Sequence, residues 1–214
     1  MRNEETYSQK LLSAVERLPI FTFENVRITG IPTEYLKILL SRKVKAGEVI
    51  RLKRGIYTTK KYIQRAVSQD AYPSFVEYAA VQMYQPSYVS LEYALAQHNL
   101  LTDAPIHLTL MTWKKTMRLS NKLGTFLYHT IREELFGGYA TQRKHGFSIS
   151  TATPAKALFD YLYLRKAILI NRQTIEELRL NTEEFSSADR RELGRWVRQE
   201  GSERMRNIFD TVCP

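Results

Sequence analysis

The sequence predicts an α+β chain: an N-terminal winged helix-turn-helix followed by an α+β domain with a small antiparallel sheet and flanking helices. Three observations predict it. Two short apolar-periodic segments are joined by a glycine-containing turn, and the second runs into a basic, partly alternating hairpin. Charge is uneven along the chain: residues 1–65 hold 14 Lys and Arg against 6 Asp and Glu, net +8, and residues 66–214 hold 18 against 16, net +2. Past residue 65, helical spacing and strand alternation succeed one another with turn signals between them, the order of an α+β domain. The expected division is therefore 1–65 and 66–214.

Taken in order, Leu11, Leu12, Val15 and Leu18 share a face of a helix from about Thr6 to Leu18, which Pro19 ends. Thr22 is a good N-cap for a short helix through Val26. Gly30 supplies the turn, and Pro32 suits the first turn of the next helix. There Leu36, Leu39, Leu40 and Val44 recur at core spacing, and Gly47 stops the helix. Thr33, Glu34, Lys37, Ser41, Arg42 and Lys45 fall mainly outward. A helix of this size fits the major groove, where arginine, lysine, serine and threonine reach base edges or phosphates. In EVIRLKRGIYTT the tip is Arg54-Gly55, and a basic wing of this kind lies along a phosphate backbone or in the minor groove. The expected DNA site has Thr33, Lys37, Ser41 and Arg42 near bases, and Lys45, Arg51, Lys53 and Arg54 on phosphates. Tyr35 falls between the core stripe and the groove-facing side.

Further along, Tyr72-Pro73-Ser74 opens a helix that Tyr84-Gln85-Pro86 breaks. Ser87 to Gln97 has the spacing of a second helix, with Tyr88, Leu91, Ala94 and Leu95 inward. HLTLMTW (107–113) alternates as a strand, and Gly124 precedes a second one, FLYHTI. Gly137-Gly138 separates these from a hairpin whose tip is Lys144-His145-Gly146. Thr153-Pro154 opens TPAKALFDYLYL, with Ala157, Leu158, Tyr161 and Leu162 inward; Lys156 and Asp160, one turn apart, are expected to pair at the surface. TIEELRLNTEEF suits a short helix or an edge strand. The last segment reads as one or two helices capped by Ser186 or Ser187, with Leu193, Trp196 and Val197 on one face. Its alternating charges, Arg190, Arg191, Arg195 and Arg198 included, read first as a solvated face and second as a further DNA-contacting surface.

Composition narrows the function. Of 214 residues 43% are apolar, enough for a core. The single Cys213 builds neither a disulfide framework nor a zinc site, and the N-terminus has no signal-peptide core, so the expected compartment is the cytoplasm. No stretch approaches a membrane span. The four histidines show no metal-ligand spacing, and His107 and His129 sit in strand candidates. No phosphate-cradling or nucleophile-elbow motif occurs. No catalytic residue, cofactor or metal is expected.

Several blocks carry a resemblance: ITGIPTEYLKILLSRKVKAGEVIRLKRGIYTT, then PSYVSLEYALAQHNLL, LTLMT, GTFLYHTI, LFGGYA and GFSISTATPAKALFDYLYL. In this order, over roughly residues 21–164, they resemble the AbiEi-type antitoxins of type IV toxin–antitoxin (abortive-infection, phage-defence) systems. The resemblance implies a winged helix that binds inverted repeats in double-stranded DNA at its own promoter and represses it. It also implies a C-terminal domain that counteracts a nucleotidyltransferase-like toxin without a stable complex. The alternative is a winged-helix regulator whose second domain senses a small ligand or binds a protein and has no antitoxin role. A third class, a nucleic-acid-modifying enzyme docked by the basic head, calls for clustered carboxylates in the middle domain, and the sequence offers none.

Overall fold

Leu11 and Val15, one helical turn apart, bury a single stripe of the first helix, α1 (Arg2–Val15). The computed structural model describes residues 2–213, and these divide into two units: residues up to Met83 together with 119–124, and 84–118 together with 125 onward. The first unit therefore extends beyond residue 65.

In the first unit a two-residue strand, β1 (Phe21–Thr22), leads into α2 (Phe23–Arg27), α3 (Thr33–Lys45), and the hairpin of β2 (Val49–Lys53) and β3 (Ile56–Thr59). These strands form an antiparallel sheet in the order β1-β3-β2. Thr22 occupies the N-cap of α2 as expected, and the contact made there is the reverse one, its backbone N–H donating to Asn25 Oδ1 at 2.7 Å. Leu11, Val15, Phe21, Val26, Ile31, Leu36, Leu39, Leu40 and Val49 make one core. Each such burial contributes about 1.5–3 kcal/mol relative to exposure. Helices α4 (Lys60–Ser68) and α5 (Tyr72–Met83) complete the unit, with the Tyr62 and Phe75 rings 5.3 Å apart. The helix at 60–68 goes beyond the elements expected from the sequence; Thr59 starts it by accepting the Tyr62 N–H.

The second unit contains β4 (Tyr88–Val89), α6 (Leu91–Gln97), β5 (Leu108–Thr112), β6 (Met117–Asn121), β7 (Gly124–Thr130), β8 (Tyr139–Lys144), β9 (Phe147–Ala152), α7 (Pro154–Arg165), α8 (Arg172–Glu176), α9 (Ser187–Glu200) and α10 (Glu203–Val212); the end of β6 and the turn after it group with the first unit. The sheet has six strands in the order β6-β7-β5-β4-β9-β8. It is larger than the small antiparallel sheet expected, and mixed: β4 with β9 and β5 with β7 run parallel. All five residues of β5 are buried, as in strands covered on both faces. The expected helix over Ser87–Gln97 is corrected at its first turn. Tyr88 and Val89 form a strand against Met111, Leu110 and Thr151, and Leu91, at φ +58°, turns the chain into the helix. An aromatic and a β-branched residue suit a central strand, and the Tyr88–Leu91–Ala94 spacing only mimics a helical face.

Helix α7 starts at the cap Thr153 as expected and is buried from Ala155 to Leu162. This corrects the surface position expected for Lys156 and Asp160: both are 0% exposed. They still pair, Lys156 Nζ to Asp160 Oδ1. Asp160 Oδ2 accepts from Tyr88 Oη at 3.0 Å and Ser90 Oγ at 2.8 Å. Burial pushes the Asp160 carboxyl up and the Lys156 amine down, while each opposes the other's shift. The three donors on one carboxylate favour its charged form and so work against the burial. Burial, then the Asp160 charge, raises the Tyr88 phenol well above its ordinary value, so it stays a donor. The ammonium also lies 4.8 Å from the ring centres of Phe159 and Trp196. Gly138, at φ +67°, closes the site: a Cβ there would meet Trp196 at 2.6 Å and Lys156 Cγ at 2.9 Å.

Asp160→Ala leaves a buried ammonium unpaired and should cost about 3–5 kcal/mol in denaturant unfolding, whereas the double change Lys156→Met with Asp160→Leu should cost far less. His129 on β7 is half-buried, and burial foremost lowers its pKa, with Arg165 adding and Glu92 opposing. Its folded form favours the neutral ring, so its contribution is present above the unfolded value of about 6.5 and is lost as pH falls from there through the lowered folded value. Thermal midpoints should therefore drop between pH 7.5 and 5.5, and His129→Gln should flatten that part of the profile.

Candidate nucleic-acid interface

Helix α3 is positioned by its apolar side. Leu36, Leu39 and Leu40 are buried, which leaves Thr33, Glu34, Lys37, Ile38, Ser41, Arg42, Lys45 and Ala46 exposed. Thr29 Oγ1 donates to Val26 O at 2.7 Å and holds the α2–α3 turn, and Ile31 plugs that turn into the core. At the other end the cap is Ala46, with Gly47 following it, and Lys43 Nζ reaches Glu48 at 2.9 Å to bind the helix end to the wing.

The wing is a tight hairpin. Lys53 faces Ile56, and Gly55 takes φ +81°, a backbone that costs a β-carbon residue dearly. The register slips between Arg51 and Lys53, so Leu52 turns inward while Arg51 and Arg54 stay exposed. The Leu52 carbonyl in this irregular stretch accepts from Asn121 Nδ2 at 2.9 Å.

The nine expected residues separate by what already holds them. Thr33, Ser41, Arg42, Lys45, Arg51 and Arg54 are exposed. Lys45, Arg51 and Arg54 make no ion pair among the described residues. Lys37 is exposed but pairs with Glu34 at 2.7 Å, a contact that is weak in water and readily exchanged for a phosphate. Tyr35 goes to the core: its ring lies 5.4 Å from Tyr7 and packs on the apolar cluster. Lys53 is half-buried, with Nζ donating to Met83 O at 2.9 Å. One exposed residue on this face was missed: Ile38, 50% exposed, two positions past Leu36 and off the core stripe. Counting helical angle outward from the leucines finds it.

The second unit carries another basic surface. Arg190, Arg191, Arg195 and Arg198 of α9 line a depression of about 760 Å³ with Gly194 and Phe209. Glu192 also lines it, and the acidic residues that alternate with the arginines in sequence have partners elsewhere. Asp189 faces the cap Ser186, Glu192 accepts from Thr153 and Trp196, and Glu200 takes Lys166 and Ser202. Among the described residues no cluster of His, Cys, Asp and Glu could hold a metal, and no helix is long and apolar enough to cross a membrane.

A helix-turn-helix with its second helix exposed and a basic wing behind it defines a winged-helix protein. Residues 9–60 match a family described as transcriptional regulator, AbiEi antitoxin, which supports the resemblance read from the sequence. That segment runs from within α1 to the start of α4 and includes α3 and the whole wing. The description is that of a regulator family rather than an enzyme family. No curated protein matches the chain.

In titrations against duplex DNA, Arg51→Ala and Arg54→Ala should each weaken binding to all sequences and lower the log–log salt slope by about 0.9. Lys53→Ala separates two roles. Loss of a phosphate contact would lower that slope, whereas loss of the Met83 anchor should leave the slope alone and cost about 1 kcal/mol of stability; the geometry predicts the second result.

Proposed function

We propose that the chain is a sequence-specific DNA-binding autorepressor and the antitoxin of a type IV toxin–antitoxin system, counteracting a nucleotidyltransferase-like toxin without forming a stable complex with it. One observation carries this reading: the segment matching the AbiEi antitoxin regulators is the segment that presents α3 and the uncompensated wing arginines. Thr33, Ser41 and Arg42 contact base edges, and Lys37, Lys45, Arg51 and Arg54 contact phosphates. A net +8 in the first 65 residues draws the duplex in. Its work site is the cytoplasm, on inverted repeats in its own promoter.

A second reading keeps the winged helix and gives the other unit a ligand-sensing role. It is favoured by the arginine-lined depression on α9, whose volume is within the usual range for small-ligand sites.

The full chain should shift the DNA upstream of its own gene at physiological salt and lower expression from that promoter. Binding no tighter than to random duplex would overturn the repressor half. Co-expression should rescue cells from a nucleotidyltransferase-like toxin encoded beside it, and failure to do so would overturn the antitoxin half. Repression that depends on an added small anion, with no rescue, would support the second reading.

A further inference from the structure

Ile38 stands on the exposed side of α3. It is 50% exposed, one turn from Glu34 on one side and Arg42 on the other, with Ser41 beside it on the same face. Core packing does not hold it there, because Leu36, Leu39 and Leu40 supply the buried side of α3. Helix propensity does not favour it either: a β-branched residue inside a helix loses χ1 freedom that alanine, lysine or glutamate would not. A lone exposed apolar side chain is ordinary on a protein surface. This one is set among polar groups on the face that the winged-helix reading presents to DNA. Restricted to essentially one rotamer, it is a pre-formed apolar knob with little entropy left to lose on docking. The major groove exposes one kind of apolar group at base edges, the C5-methyl of a pyrimidine, carried by thymine. A methylated cytosine presents the same group.

We infer that Ile38 is a specificity-determining residue that reads the C5-methyl of a pyrimidine in the major groove. The inference rests on the DNA-binding reading above and adds to it a base preference that the polar residues of the face do not supply. Ser41 and Arg42 reach hydrogen-bonding edges, and Ile38 selects the neighbouring pair by its methyl group.

The test uses the full chain and the tightest duplex recovered from a randomised library. Each thymine is replaced singly by deoxyuridine, which removes only the methyl, and affinities are read by fluorescence anisotropy at fixed salt. One or two replacements should weaken the wild-type protein about fourfold each, the worth of one buried methyl group. Ile38→Ala should bind the parent duplex weaker by a similar factor and lose its response to deoxyuridine at those positions, with its salt slope unchanged and its thermal midpoint no lower. Cytosine against 5-methylcytosine at the same position separates the two sources of the methyl: the wild type should prefer the methylated base and Ile38→Ala should not. A wild type that selects a sequence yet ignores every deoxyuridine overturns the role of Ile38 and leaves the repressor reading standing. Recovery of no sequence above random duplex overturns both.

Discussion

The second unit depends on one buried charge pair. Lys156 and Asp160 are on successive turns of α7, where the surrounding residues would otherwise make an apolar core helix. An ammonium and a carboxylate without water are costly unless every donor and acceptor is satisfied. The surrounding elements do this from several directions. Tyr88 and Ser90 come from β4 and the start of α6, the rings of Phe159 and Trp196 flank the ammonium, and the backbone at Gly138 closes over both Trp196 and Lys156. Glu192 of α9 extends the network by accepting from the α7 cap Thr153 and from Trp196. A strand, two helices and a glycine turn are thus tied together by one polar network.

The first unit is built the opposite way. Its winged-helix core is apolar, and most charges of α3 and the wing are exposed, although Glu77 of α5 is buried. That division suits a nucleic-acid-binding head, because cations left solvated keep their reach and their counterions, and those counterions are released on a phosphate backbone. Structural demands enter only at the margins. Lys43 is used to fasten the end of α3 to the wing, and Lys53 to fasten the wing to the Met83 carbonyl. Among the described residues Lys45 of α3 and Arg51 and Arg54 of the wing make no ion pair.

The arginines of α9 show how a charge pattern misleads when read along the chain. Asp189, Glu192 and Glu200 alternate with Arg190, Arg191, Arg195 and Arg198 as though neutralising them. In space the three carboxylates serve a cap, the α7–Trp196 network and the Lys166–Ser202 cluster, and the four arginines line one depression with Phe209, where Glu192 is the acidic residue among them. Sign along a sequence gives net charge; which charges cancel is settled by direction, and direction needs the fold.

Local physics was enough for much of this chain. Helical spacing located α1, α3, α5 and α7; Thr22, Thr153 and the pair Ser186 or Ser187 located caps, the last being Ser186; Arg54-Gly55 and Lys144-His145-Gly146 located hairpin tips. These are determined by a few residues acting over one or two turns, so they are legible in one dimension. So was the exposed basic face, since Leu36, Leu39 and Leu40 fix which side of α3 is buried. Tertiary structure decided the rest. Tyr88-Val89 became a central strand because β5 and β9 had edges to pair, and the sheet became mixed because partners distant in sequence closed it. Tyr35 went inward to Tyr7, and Lys53 inward to Met83. Lys156 and Asp160 were visible as a pair from their spacing, but their burial was not, because burial is set by everything that packs around a helix and spacing reports only the helix itself.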